Sequence, residues 1–165
     1  FRNIVVFNSL SKRSNLPGLR SGFVAGDREF LASLAEVRNL IAPQMPGVIQ
    51  HASAAVWSEE QHVANIRQAY REKFDICDEL LQGRYGYRRP AGGFFLWLDV
   101  SQFGGGVEAT VTLWKRCGVK VVPGAYLAQP GPNGINPGDG RIRVALVHDP
   151  ATIREALQRI VSVLS

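Results

Sequence analysis

The sequence is poor in the residues that build covalent staples and metal sites. It has 2 cysteines, Cys77 and Cys117, with no Cys-x-x-Cys spacing, and 3 histidines, His51, His62 and His148, far apart and without a His-Glu-x-x-His pattern. Neither a structural disulfide nor a metal centre is expected. No apolar run approaches the ~20 residues that cross a bilayer. The opening residues FRNIVVFNSLSKR lack the charged, then apolar, then small-residue order of a secretory signal. No membrane partner is therefore expected, and a cytoplasmic location is the default. Acidic residues are in deficit, 14 against 19 Lys and Arg, for a formal charge of +5. Such an excess attracts phosphate backbones. Here, however, Arg67, Arg71, Lys73, Arg154 and Arg159 alternate with Glu72, Asp75 and Glu155, the pattern of solvated helix faces, so no nucleic-acid partner is expected. Internal repeats are also missing.

What is present is 165 residues with 45% hydrophobic and 20% charged content, enough for a globular core. IVVF (4–7) is a short apolar run bounded by polar residues and predicts a strand buried on both faces, with SGFVAGD (21–27) as its neighbour. Residues 28–40 carry Phe30, Leu31, Leu34, Val37 and Leu40 at helical spacing, and APQMPG (42–47) interrupts them with prolines. Val48 to Trp57 suits a helix, and SEEQ (58–61) has the form of a capping box for another. Val63, Ile66, Tyr70, Phe74, Cys77 and Leu81 then form one long stripe that Gly83 can close.

The second half predicts an aromatic strand within 88–100, a helix over 107–117, a short strand within 119–124, and a strand over 141–147. A last helix starts at Asp149 and Pro150. The fold class is therefore α/β. Trp57, Trp97, Trp114, Phe94 and Tyr70 are expected to serve packing. The Gly/Pro/Asn segment AQPGPNGINPGDG (128–140) is a loop long enough to carry function, with Asn136 assigned to the loop rather than to a ligand.

NSLSKRSNLPGLRSGFVAGD (8–27) carries the chemistry. An amine at a strand end, among other cations, loses proton affinity and becomes a nucleophile toward aldehydes. Arg20 with the hydroxyls of Ser9 and Ser11 supplies donors suited to a phosphate dianion. A lysine beside a phosphate site points to pyridoxal phosphate.

This stretch resembles the lysine motif of the class I/II aminotransferases, the pyridoxal-phosphate enzymes of fold type I. The resemblance implies that Lys12 is the Schiff-base lysine and the catalytic base, that Ser9 and Arg20 hold the cofactor phosphate, and that Ser11 sits beside them. PAGGFFLWLDV, VKVVPGAYL and GRIRVALVHDPATIREAL resemble later parts of the same family in the same order. Arg141 and Arg143 lie on one strand face, and periodicity does not choose between them. The family's carboxylate-binding arginine directly precedes a short apolar stretch, which implies Arg143.

Within the family, SKRSNLPGLRSGFVAGD, the HV at 62–63 with YREKF, and PGAYLA with GINPG are most similar to the bacterial N-succinyldiaminopimelate aminotransferases of lysine biosynthesis. The implied substrates are an amino acid and a 2-oxo acid, N-succinyl-LL-2,6-diaminopimelate and 2-oxoglutarate, and the implied assembly is a homodimer. The implied organisation is the end of a large domain over 1–47, connecting helices over 48–83, and a small α/β domain over 84–165. The chain reads as the C-terminal part of such an enzyme and is expected not to turn over alone. Other fold type I reactions, C–S lysis or decarboxylation, share the same lysine, and so does the aminotransferase-like domain of some transcription regulators.

Overall fold

The computed structural model describes residues 2–42 and 44–165, in two compact units that divide between Arg67 and Gln68. In the first unit, β1 (Val5–Ser9) and β2 (Gly22–Gly26) pair antiparallel, from Val5 opposite Gly26 to Ser9 opposite Gly22. The expectation that IVVF is buried on both faces is not met: Phe7 is 69% exposed. Among the described residues this sheet has two strands, and a two-stranded ribbon cannot cover its own faces. Between the strands lie a single helical turn, α1 (Leu10–Arg13), and a 3-10 turn at Pro17–Leu19.

Asp27 starts α2 (Arg28–Ile41) by accepting from the Glu29 and Phe30 N–H groups at 3.0 and 3.1 Å. The helix forms where its spacing predicts, yet it buries none of its residues, and Leu40 is 87% exposed. Next come α3 (Gly47–Trp57) and α4 (Gln61–Leu81), the latter running on into the second unit. The capping box expected from SEEQ is displaced by one residue. Ser58 closes α3, its hydroxyl donating to the Ala55 carbonyl at 2.9 Å, and Glu59 caps α4 by accepting from the N–H groups of Gln61 and His62. With the Ser58 hydroxyl committed to the preceding helix, the Glu59 carboxylate is the acceptor at the positive end of α4.

The second unit is built on an antiparallel sheet of β3 (Phe95–Asp99), β4 (Val122–Pro123) and β5 (Arg141–Ala145) in the order β3-β5-β4. The predicted strands are present but shorter. β4 stops at a proline, which has no N–H to extend a ladder. The helices α5 (Gly105–Cys117) and α6 (Pro150–Val163) pack against each other, and α5 packs on the sheet. Asp149 caps α6, as expected, by accepting from the Thr152 N–H at 3.0 Å.

Leu96, Leu98, Ile142 and Val144 share one sheet face and are buried with Phe74, Cys77 and Leu81 of α4 and Leu113, Leu157 and Ile160 of α5 and α6. Burial pushes the Cys77 thiol up to about 12, so it packs as an inert apolar group. Alternation places Phe95, Trp97, Asp99, Arg141 and Arg143 on the opposite, open face. Trp97 is accordingly 44% exposed, and Trp114 on α5 is 59% exposed, so neither lies in the core of this unit.

Candidate functional site

The lysine turn follows directly from β1. Ser9 is the N-cap of α1: its hydroxyl oxygen accepts from the Ser11 N–H at 3.1 Å and its O–H donates to the Ser21 carbonyl at 3.2 Å. The Leu10 N–H donates to the same Ser21 carbonyl at 3.1 Å, so the backbone beside Arg20 is tied to the start of the lysine turn. Lys12 stands exposed on this turn and Ser11 is half-buried. The loop expected around Lys12 is thus a capped helical turn. Arg20 is exposed, with a left-handed backbone at φ 49°, and Nη1 donates to the Pro17 carbonyl at 2.8 Å. An ammonium, a guanidinium and hydroxyls, with no carboxylate in the sequence from Asn8 to Gly26, form a donor set that fits a phosphate dianion.

The turn is anchored by residues to which the sequence assigned no role at the lysine. The Arg13 guanidinium lies 4.8 Å from the centre of the Trp57 ring, ion-pairs with Glu60, and donates to the Val56 and Glu59 carbonyls at 3.4 and 3.5 Å. Trp57 in turn meets Phe23 of β2 edge-on at 5.0 Å, which fulfils its expected packing role. Ser14, the C-cap of α1, is buried, and its Oγ lies 2.8 Å from His62 Nε2. His62 Nδ1 bonds to the Glu59 carboxylate. That contact is the main reason the Glu59 carboxyl is held below its ordinary value. The only hint in the sequence was the HV pair at 62–63, a point of resemblance with no assigned task.

Chemistry alone offers a second lysine, and geometry removes it. Burial lowers the pKa of Lys73, the kind of shift that makes an amine nucleophilic. Its Nζ, however, donates to the Leu146 carbonyl at 3.0 Å and sits 4.7 Å from the Tyr70 ring centre, in a buried position. Lys73 is a packing lysine, and Tyr70, which also stacks on Phe94 at 5.9 Å, belongs to the same packing.

In the second unit, the open face of β5 separates its two arginines. Arg141 Nη2 lies 3.2 Å from Asp99 Oδ2 across the ladder. The Ser101 N–H and hydroxyl, with a smaller contribution from Arg141, hold the Asp99 carboxyl below its ordinary value, so the partner is a carboxylate. Arg143 stands opposite Trp97 and Val122, with its guanidinium 4.5 Å from the centre of the Phe95 ring. Among the described residues no carboxylate forms an ion pair with Arg143. Stacking on a ring fixes the plane of a guanidinium while leaving the edge of its fork open.

The loop beyond is pinned rather than poised. Asn136 Nδ2 donates to the Ala125 carbonyl at 3.0 Å, and its Oδ1 accepts from the Gly138 N–H at 2.8 Å. A side chain at Gly138 would meet the Gly124 carbonyl oxygen at 2.3 Å, and one at Gly124 would come within 2.8 Å of Trp97. Both glycines are therefore required for close backbone approach beside the arginine face. Asn136 serves the loop, as the sequence suggested.

The family described as aminotransferase class I and II matches residues 2–160. The LL-diaminopimelate aminotransferase of Syntrophobacter fumaroxidans is 30% identical over 159 residues, which cover 94% of this chain and 39% of that protein. Among solved structures, an aminotransferase from Neisseria meningitidis superposes with a TM-score of 0.90 at 42% identity, covering 98% of this chain and 40% of the other. A probable N-succinyldiaminopimelate aminotransferase from Thermus thermophilus gives 0.80 at 32%, covering 96% and 41%. The chain thus spans about two fifths of the length of these relatives. With a family match over nearly all of its residues and the α/β fold of the fold type I enzymes, the chain belongs to the pyridoxal-phosphate-dependent class I and II aminotransferases.

Proposed function

We propose that this chain forms the C-terminal part of an aminotransferase that moves an amino group between an amino acid and a 2-oxo acid, with Lys12 as the cofactor lysine. The observation that carries this reading is the capped turn that presents Lys12 exposed, with Arg20 joined to its base through Ser21. The end of the large domain is assigned to 1–47, the connecting helices to 48–83, and the small domain to 84–165. Arg20 binds the cofactor phosphate. Ser9 and Ser11 line the same turn, where their hydroxyls would supply further donors to the phosphate. When bound, pyridoxal phosphate supplies an electron sink for the bonds at the substrate's amino-bearing carbon. Lys12 carries the proton to and from that carbon, and Arg143 orients the substrate carboxylate.

The proposed amino donor is N-succinyl-LL-2,6-diaminopimelate and the acceptor 2-oxoglutarate, in a homodimer. The resemblance of the lysine stretch and the Thermus thermophilus neighbour support the succinylated donor. The test is glutamate production by the full-length enzyme from 2-oxoglutarate with either the succinylated or the free diamino acid. A preference for the succinylated donor is expected. Preference for the free diamino acid overturns the donor assignment, and release of ammonia or CO2 in place of glutamate overturns amino transfer itself.

Arg20→Ala is expected to weaken cofactor binding far more than it slows turnover at saturating cofactor. The phosphate does not react, so its contacts stabilise ground and transition states alike. Equilibrium dialysis against pyridoxal phosphate, paired with kcat at saturation, checks this. Unchanged affinity with collapsed turnover would assign Arg20 another role.

A further inference from the structure

The lysine turn is too short to hold itself. α1 has four residues, and its C-cap N–H bond runs from Ser14 to the Leu10 carbonyl at 3.1 Å. One helical turn fixes several backbone dihedrals for a single hydrogen bond, so it persists only when groups outside it stabilise it. At its N-terminal end this is done by Ser9 and the Leu10 N–H. At its C-terminal end, two residues beyond Lys12, it is done by a chain of side chains that the functional reading leaves unused: Ser14, His62 and Glu59.

Glu59, held ionised, is an acceptor only, so His62 Nδ1 carries the hydrogen and donates to it. His62 Nε2 lies 2.8 Å from the Ser14 hydroxyl, and the Ser14 oxygen also accepts from Arg13 Nη1 at 3.1 Å. Serine, histidine and carboxylate in this order also make a nucleophilic site where the serine is open to a substrate. Here Ser14 is 6% exposed and its oxygen already serves Arg13, so the same geometry holds structure in place. A buried hydroxyl that loses a hydrogen-bond partner bears a desolvation cost, which ties Ser14, and the turn it ends, to His62.

We propose that His62 is a positioning residue for Lys12: oriented by Glu59, it hydrogen-bonds Ser14 and fixes the helical turn that presents the lysine. The proposal rests on the reading of Lys12 as the cofactor lysine. Small displacements of a reacting group are costly, up to about 10²-fold for ~1 Å. His62→Leu in the full-length enzyme is therefore expected to lower kcat on the order of 10-fold while leaving KM for both substrates within about 2-fold. It should slow the attachment of added pyridoxal phosphate to the apoenzyme lysine, followed by absorbance, to a similar degree. His62→Gln places an amide, with both a donor and an acceptor, where Nε2 meets Ser14 and is expected to restore both rates.

Ser14→Ala, the milder change, should reproduce the leucine variant's loss, and the double variant should be no worse than either single one, because all three break one contact. Three results would overturn the proposal: additive losses in the double variant, a glutamine variant as impaired as the leucine one, or a lowered melting temperature with kcat and attachment rate unchanged. Borohydride reduction of the wild-type enzyme keeps the two readings apart. Label on a lysine other than Lys12 removes the premise, whereas label on Lys12 with unaltered rates in the variants removes only the role of His62.

Discussion

Lys12→Ala in the full-length enzyme is expected to abolish the visible absorbance of the lysine-bound cofactor and to lower amino transfer by several orders of magnitude. Two tasks disappear together, the covalent hold on the cofactor and the base that moves the proton, and general base catalysis alone contributes ~10²–10⁴-fold. The setting suits both tasks: Lys12 is exposed on a turn whose two ends are tied down, so its backbone stays placed. Lys12→Arg separates charge from proton transfer. Arginine keeps the positive charge but does not give up its proton at working pH, so it is expected to rescue neither the absorbance nor the rate. Substantial transfer by either variant, measured in a coupled assay for glutamate, would show that another group does the work.

The second large effect is expected at Arg143. Arg143→Lys should lower kcat/KM for amino donor and 2-oxo acceptor alike by on the order of 10²-fold or more, the scale of losing a bidentate charged contact worth ~3 kcal/mol. Both substrates carry a carboxylate beside the reacting carbon, so one arginine can serve both half-reactions, and a lysine point charge cannot reproduce the two parallel donors. Arg141→Lys should do much less. Arg141 already faces the Asp99 carboxylate at 3.2 Å, which would repel a substrate carboxylate arriving there, whereas Arg143 is stacked on Phe95 and has no such competitor among the described residues. Steady-state kinetics on the two variants decide between them. A greater loss in the Arg141 variant would reverse the assignment.

Local pattern made much of this legible before any coordinates. Helical spacing located α2, α4, α5 and α6, and alternation put Arg141 and Arg143 on one face of β5. What the pattern missed was pairing across distance. That Asp99 stands opposite Arg141, and so sets Arg141 apart from Arg143, follows from the β3–β5 register, which no local run of residues encodes. The clamp on the lysine turn joins Ser14 to a histidine at the start of a different helix, and neither residue is unusual in its own neighbourhood. Burial was misjudged at IVVF, where an apolar run was taken to imply a layer on each face. IVVF and the α2 stripe form as strand and helix, but Phe7 and Leu40 remain largely exposed because apolar spacing reports the shape of an element and not what packs on it. The shifted cap at Glu59 has a similar origin: Ser58 fitted the motif, but its hydroxyl already closed the preceding helix.

Borohydride reduction of the full-length, cofactor-loaded enzyme, followed by peptide mapping, tests the assignment of Lys12 most directly. The four lysines of this chain, Lys12, Lys73, Lys115 and Lys120, differ enough in setting to make the answer sharp. Lys73 has a lowered pKa but is buried against the Leu146 carbonyl, whereas Lys12 stands exposed on its turn. The reduced pyridoxyl group is expected on Lys12, in the peptide containing SLSKRSNLPGLR. Label on Lys73, or on any lysine other than Lys12, would contradict the assignment.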